Sequence, residues 1–287
     1  MRRPSSTCAL ASSLARALLA GGLEVGDRVA LWSPNRYEWV LTQYATARIG
    51  AIMVCVNPAY RTNELEFALN QSGSRMLLAA PEFKTSDYRA MWDEVADSCP
   101  TVERAVFFES SDWSELLSRA DAVSSEEVAA RAASLSNTDP INIQYTSGTT
   151  GLPKGAMHSH NTSMWGCLTA NVTADTRYGD NYLICLPLFH VGALNPMLSI
   201  INLGGTATIM SEFDPVKIWE VFGEEKITVT LAVPAMLQFM LLTYDKEAHD
   251  TSSLRWVMSG AAPVPVSLIE TYAAMGIEIH QVYGLTE

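Results

Sequence analysis

Apolar residues along this chain come in short, β-branched bursts separated by longer stretches of helical periodicity. RVALW (Arg28 to Trp32), AIMVCV (Ala51 to Val56), RMLLA (Arg75 to Ala79) and RAVFF (Arg104 to Phe108) are too short for helices and predict buried strands. The stretches 37–49, 63–71 and 86–97 predict helices between them. Ile141 to Tyr145 alternates in a strand-like way. The rhythm then resumes with strands at NYLICLP (Asn181 to Pro187), TATIM (Thr206 to Met210), ITVTLA (Ile227 to Ala232), RWVMSG (Arg255 to Gly260) and IEIHQVYG (Ile277 to Gly284). Such alternation predicts an α/β fold of mostly parallel sheets covered by helices on both faces, with ligands at the carboxyl ends of the strands. Ser110 to Thr138, richer in Ser, Asp and Glu, reads as a helical, solvated connection. It divides the chain into a first α/β unit, 1–135, and a second α/β portion, 136–287.

Two apolar stretches need separate treatment. MRRPSSTCALASSLARALLAGG superficially resembles a signal peptide, but Arg16 interrupts it and Leu10, Leu14, Ala17 and Leu18 share one helical face. It predicts an amphipathic helix ending at Gly21-Gly22. Val191 to Leu203 contains Asn195, Pro196 and Asn202 and is too short and too polar to span a bilayer. A soluble, cytoplasmic protein is therefore expected.

The net charge of −12, with no basic stripe to offset it, excludes nucleic acid as a natural partner and requires any anionic ligand to be held by local donors or a metal. Five scattered cysteines without CxxC spacing predict buried thiols in a reducing compartment, not a disulfide frame or zinc site.

Candidate chemistry concentrates in YTSGTTGLPKGAMHSH, Tyr145 to His160. Glycines allow successive backbone N–H groups to face one anion, hydroxyls add donors, and Lys154 adds a charge. The Walker A pattern is not met: Lys154 follows Pro153, and Gly155 stands where a magnesium-binding hydroxyl is needed. A solvated linker has a similar composition. The predicted flanks, a strand before and a helix at 158–170 after, favour phosphate capture.

This loop, taken with YGLTE at Tyr283 to Glu287, resembles the AMP-forming adenylate synthetase superfamily of acyl-CoA synthetases, firefly luciferase and peptide-synthetase adenylation domains. GDRVALWSPNRYEWV, GAIMVCVNPAY, LPLFH (Leu186 to His190), VPAML (Val233 to Leu237) and SGAAP (Ser259 to Pro263) look like further family blocks, in family order over nearly the whole chain. The resemblance implies the N-terminal large domain of an adenylate-forming enzyme, with ATP, Mg²⁺ and CoA as cofactors or co-substrates. By that resemblance Thr146, Ser147, Gly148, Thr149, Thr150, Gly151 and Lys154 wrap the β- and γ-phosphates. Gly260, Ala261, Ala262, Pro263, Tyr283 and Gly284 line the adenine. Thr286 donates to the phosphate that becomes AMP, and Glu287 holds Mg²⁺. Lys154, Thr286 and Glu287 are thus the expected catalytic set.

For the acid, His190, Val191 and Gly192 fall where peptide-synthetase domains carry an amine-binding aspartate nearby. Here the stretch is apolar with one imidazole, as suits a fatty acyl tail of medium to very long chain. His190 could equally gate a tunnel or simply pack. The expected activity is ATP-dependent fatty acyl-CoA synthesis through acyl-AMP. The rivals are adenylation of an aryl or amino acid on the same fold and a catalytically dead nucleotide- or acyl-binding module. Family members continue beyond the position of Glu287 through a ribose-binding Y-x-T-G-D segment, a hinge and a small C-terminal domain. An incomplete large domain is therefore expected, inactive or weakly active alone.

Overall fold

The computed structural model describes residues 4–146 and 153–287. The first unit of the chain extends to Thr162, and Ser163–Thr286 form a second.

The first unit opens with helix α1 (Pro4–Ala20), then β1 (Arg28–Trp32), α2 (Tyr37–Ile49), β2 (Ile52–Val56), α3 (Thr62–Ser72) and β3 (Met76–Ala79). A short antiparallel pair, β4 (Glu82–Phe83) and β5 (Ser86–Asp87), precedes α4 (Tyr88–Val95), β6 (Arg104–Phe107), α5 (Ser111–Ser118) and α6 (Ser125–Ala133). The unit's last strands are β7 (Pro140–Thr146) and β8 (Lys154–Ser159). The sheet order is β6-β3-β1-β2-β7-β8, and every pairing is parallel except β7 with β8. β2 and β3 are buried at every residue and β1 at all but Arg28, which explains why they read as continuous apolar runs without alternation.

Helix α2 is buried around most of its circumference, yet contains Glu38, Thr42, Gln43 and Thr46. Its hydroxyls return to the helix: Thr42 Oγ1 donates to the Glu38 carbonyl and Thr46 Oγ1 to the Thr42 carbonyl, both at 2.8 Å. The Glu38 carboxylate is held by Arg36 at 2.6 Å. The helix stops at Gly50, whose φ of 75° is the left-handed cap that glycine adopts without strain.

Helix α7 (His160–Thr173) carries the chain into the second unit. There follow β9 (Asn181–Ile184), α8 (Val191–Asn202), β10 (Thr206–Ile209), α9 (Lys217–Glu224), β11 (Val229–Leu231), α10 (Pro234–Leu241), β12 (Trp256–Ser259), α11 (Val266–Ala274) and β13 (Glu278–Gln281). The sheet order is β10-β9-β11-β12-β13, parallel throughout. Trp219 and Phe222 of α9, Leu237 and Met240 of α10, and Leu268 and Tyr272 of α11 form one core with Leu183 and Val257 of the sheet. The polar tips inside it are satisfied: Trp219 Nε1 donates to the Met240 carbonyl at 2.9 Å and Tyr272 Oη to the Leu237 carbonyl at 2.8 Å.

Several expectations change. The segment 136–162 was assigned by pattern to the second portion, but β7 hydrogen-bonds to β2 and β8 to β7, so this segment completes the first sheet. The helix expected from residue 158 begins at His160, because Lys154 to Ser159 is claimed by pairing with β7. The segment 86–97 is a short strand, a helix and a 3₁₀ turn instead of one helix. The 110–138 connection is less solvated than its composition suggests, since Trp113, Leu116, Ala120 and Val128 are buried. Four cysteines are buried free thiols as expected, but Cys8 is exposed. No helix among the described residues is long and apolar enough to cross a membrane.

Candidate active site

In the second sheet, β9 connects through α8 to β10 on one side, while β11, β12 and β13 lie on the other. The order in which the chain lays down strands therefore switches sides between β9 and β11. Outside the carboxyl ends of two such strands, the departing connections leave a crevice. The segments that leave these strand ends are Cys185 to His190 after β9 and Ala232 to Pro234 after β11. Pro234 starts α10 at a position where its missing N–H is not needed.

His190 is the N-cap of α8, with extended backbone and no capping side-chain bond. Its ring lies 5.3 Å from the Phe189 ring. The side chain reaches solvent, but the protein packed around it lowers the imidazole pKa, so the neutral form is favoured. Val191 and Gly192 form the first turn, followed by buried Ala193 and Leu194. A Cβ on Gly192 would find only Leu186 Cδ1, at 3.5 Å, so a methyl group is accepted there. Nearby Cys185 is no nucleophile: its Sγ donates to the Leu231 carbonyl, and burial pushes the thiol up to about 11.

The loops after β12 and β13 are joined by three features. The Val282 N–H donates to the Ser259 carbonyl at 2.8 Å. Val264 N–H donates to Gln281 Oε1 at 3.2 Å. A Cβ on Gly260 would stand 2.7 Å from the Val282 carbonyl oxygen, so only glycine permits this approach. Ala261 then takes φ of 66°, a left-handed conformation unfavourable for a residue with a Cβ. Ala261, Ala262 and Pro263 are exposed beside Tyr283, whose ring is 91% exposed, and Gly284. The structure thus brings Gly260 to Pro263 together with Tyr283. At the usual strand spacing β12 stands about 10 Å and β13 about 14 Å across the sheet from β9. Thr286 is half-buried and Glu287 exposed.

Lys154 and Thr146 are direct cross-strand partners at the mouth of the β7–β8 hairpin. Thr146 Oγ1 donates to the Lys154 carbonyl at 3.4 Å, and the Lys154 side chain is exposed. Ser147, Gly148, Thr149, Thr150 and Gly151 lie outside the described residues. The glycine loop therefore joins two antiparallel strands, not a strand and a helix. Any anion it holds must rely on loop amides, hydroxyls and Lys154.

Sequence patterns did not single out Gln281 and Val282, which tie the two loops together, or Asn142 and Gln144. The latter pair is buried on one face of β7, with side-chain amides that have no hydrogen-bond partner among the described residues. Only the strand alternation of 141–145 hinted at which side chains share a face. No group of three or more metal-ligating side chains occurs among the described residues.

A family model described as AMP-binding enzyme matches residues 7–287. The chain is 37% identical over 281 residues to a long-chain-fatty-acid–CoA ligase of Mycobacterium tuberculosis, covering 97% of this chain and 54% of that protein. It is 33% identical over 275 residues to a feruloyl-CoA synthase of Amycolatopsis, covering 96% and 52% respectively. The solved, inhibitor-bound N-terminal domain of FACL13 from Mycobacterium tuberculosis superposes with a TM-score of 0.88 at 35% identity, over 99% of this chain and 69% of that one. The chain spans about half the length of the curated relatives it matches.

Proposed function

Because this chain belongs to the AMP-binding enzyme family, we propose that it serves an AMP-forming acyl-CoA ligase in which a fatty acid is activated by ATP and passed to CoA. The observation that carries this reading is the carboxyl edge of the second sheet. There a glycine-dependent loop junction with an exposed tyrosine shares the edge with the largely apolar segment Leu186 to Leu194, which leaves β9 at the point where the strand order switches. The first feature suits a flat purine, which gains from an aromatic face. The second suits an uncharged tail.

In the first step a carboxylate oxygen forms a bond to the α-phosphorus while the bond to pyrophosphate breaks, giving acyl-AMP. In the second, a thiolate sulfur attacks the acyl carbon and AMP leaves. Attack of an anion on a polyanion is helped chiefly by positioning and charge neutralisation. Lys154 would supply positive charge at the phosphates, and Thr286 would donate a hydrogen bond to the phosphate retained in AMP. The neutral His190 imidazole would avoid placing a charge at the mouth of the apolar crevice. Glu287, one exposed carboxylate without an acidic cluster, fits Mg²⁺ only as that ion is usually held beside nucleotides, by one carboxylate together with phosphate and water oxygens. A bound Mg²⁺ would neutralise phosphate charge there. Five free thiols are in keeping with a reducing, cytoplasmic location.

The similarity to a feruloyl-CoA synthase supports a second reading, activation of an aryl acid on the same framework. ATP–pyrophosphate exchange by the full-length protein carrying this chain tests both, with octanoate, palmitate, ferulate and phenylalanine compared. Exchange greatest with the aliphatic acids is expected. Exchange with ferulate alone would transfer the assignment to aryl acids, and none with any acid would remove it.

A further inference from the structure

β8 is the edge strand of the first sheet and is held on one side only, by β7. Such a strand can slip, and a slip of one residue would turn Lys154 to the opposite face of the hairpin. One cross-strand pair resists this. Gly155 lies opposite Tyr145, next to the Thr146–Lys154 pair. A Cβ built on Gly155 would come 2.7 Å from Ile143 Cγ2 and 3.8 Å from the Tyr145 ring. Ile143 Cγ2 is a branch methyl on a side chain stiff at χ1, so it does not swing away cheaply. The Tyr145 ring is itself fastened: it is 6% exposed, and its hydroxyl donates to the Ala68 carbonyl of α3 at 3.1 Å. Within 153–159, PKGAMHS, Gly155 is the only residue without a Cβ. A slip of one or two residues in either direction would put Pro153, Lys154, Ala156 or Met157 opposite Tyr145 in the place of Gly155, each bringing a Cβ into the position that lies 2.7 Å from Ile143 Cγ2.

We propose that Gly155, Ile143 and Tyr145 form a register lock that holds Lys154 opposite Thr146, making them positioning residues for phosphate capture. The lock rests, for its functional consequence, on the proposed ATP-binding role of the hairpin. The aromatic ring covers the glycine across the antiparallel ladder, a pairing that offsets glycine's lack of packing surface. Its attachment to α3 ties the position of the lysine to the body of the sheet.

The test uses Gly155→Ala, Ile143→Ala, the double variant and Tyr145→Phe in the full-length protein carrying this chain. Gly155→Ala is expected to raise the KM for ATP by about ten-fold while leaving the KM for the acid within about two-fold. Adding Ile143→Ala removes the colliding methyl, so the double variant should return to within about three-fold of Ile143→Ala alone, a coupling that simple loss of stability does not produce. Tyr145→Phe should raise the KM for ATP by about two-fold. Backbone hydrogen exchange over 154–159 provides a readout independent of the reaction: it should quicken in Gly155→Ala and slow again in the double variant. Equal exchange in those two, or a Gly155→Ala defect that Ile143→Ala does not relieve, overturns the lock. Restored exchange in a protein that shows no use of ATP would uphold the lock and overturn the nucleotide assignment instead.

Discussion

Lys154 stands at the mouth of a hairpin with an exposed side chain, where two antiparallel strands and not a helix start flank the loop. Its charge is therefore a large share of what the hairpin can offer a phosphate. Lys154→Ala is predicted to cost about 1.5–3 kcal/mol of ATP-dependent transition-state binding, as loss of a charge-assisted hydrogen bond does. That corresponds to roughly 10- to 150-fold in kcat/KM for ATP. Steady-state kinetics with each substrate varied in turn checks it; a change confined to the acid would mean the hairpin does not face phosphate. Two histidines give a prediction for acid. Burial lowers the pKa of His160, with Asp139 opposing, and that of His190. A folded state that resists protonation loses stability relative to the unfolded chain once pH falls below the ordinary imidazole value, and goes on losing it until the lowered folded pKa is passed. Denaturant midpoints should therefore decline as pH falls from 7 toward 5, and His160→Gln should flatten part of that decline. An identical slope in the variant would show that burial of His160 is not linked to acid sensitivity.

At the level of elements, helix α8 and the β12–β13 junction carry opposite constraints. Gly192 in the first turn of α8 has ordinary space around it, limited by Leu186 at 3.5 Å. Gly192→Ala should be tolerated, whereas Gly192→Trp should fill the crevice and shift preference toward shorter acids, since overpacking excludes long tails first. Acyl-CoA yields across a series of chain lengths check this, and an unchanged profile in a folded Gly192→Trp protein would place α8 away from the acid. Gly260 has no such freedom, because the atom in its way is the Val282 backbone oxygen at 2.7 Å. Gly260→Ala must separate the two loops. It is predicted to weaken nucleotide binding more than Gly192→Ala does, as read by calorimetric titration with ATP.

At the scale of the whole chain, each unit keeps its own sheet and core, and the second depends on Trp219. That side chain is fully buried among α9, α10 and the Tyr244 ring, and its indole N–H caps the Met240 carbonyl. Trp219→Ala should cost about 3–5 kcal/mol, the usual range for emptying a large aromatic site, and urea titration followed by far-ultraviolet circular dichroism measures it. A loss under 1 kcal/mol would mean that the core collapses around the gap.

The alternation of short apolar runs with helical stretches was legible without a structure, because burial periodicity is a property of neighbouring residues. RVALW and AIMVCV became β1 and β2 nearly to the residue, and Gly50 ended α2 where a left-handed cap was needed. Motif chemistry was equally local: the SGAAP and YGLTE blocks pointed to the two loops that the structure joins through Val282 and Gln281. Strand order was not local. Nothing in INIQYT indicates that it pairs with β2, or that KGAMHS turns back as an antiparallel edge instead of starting a helix. The sheet hydrogen bonds claimed by β8 outweigh a helical pattern that a lone segment would satisfy alone. The switch in strand order between β9 and β11 likewise exists only once both strands have neighbours. Sequence by itself thus determined which residues form the elements and which chemical groups they carry. Tertiary structure decided which groups meet, because pairing and close backbone approach depend on residues far apart in the chain.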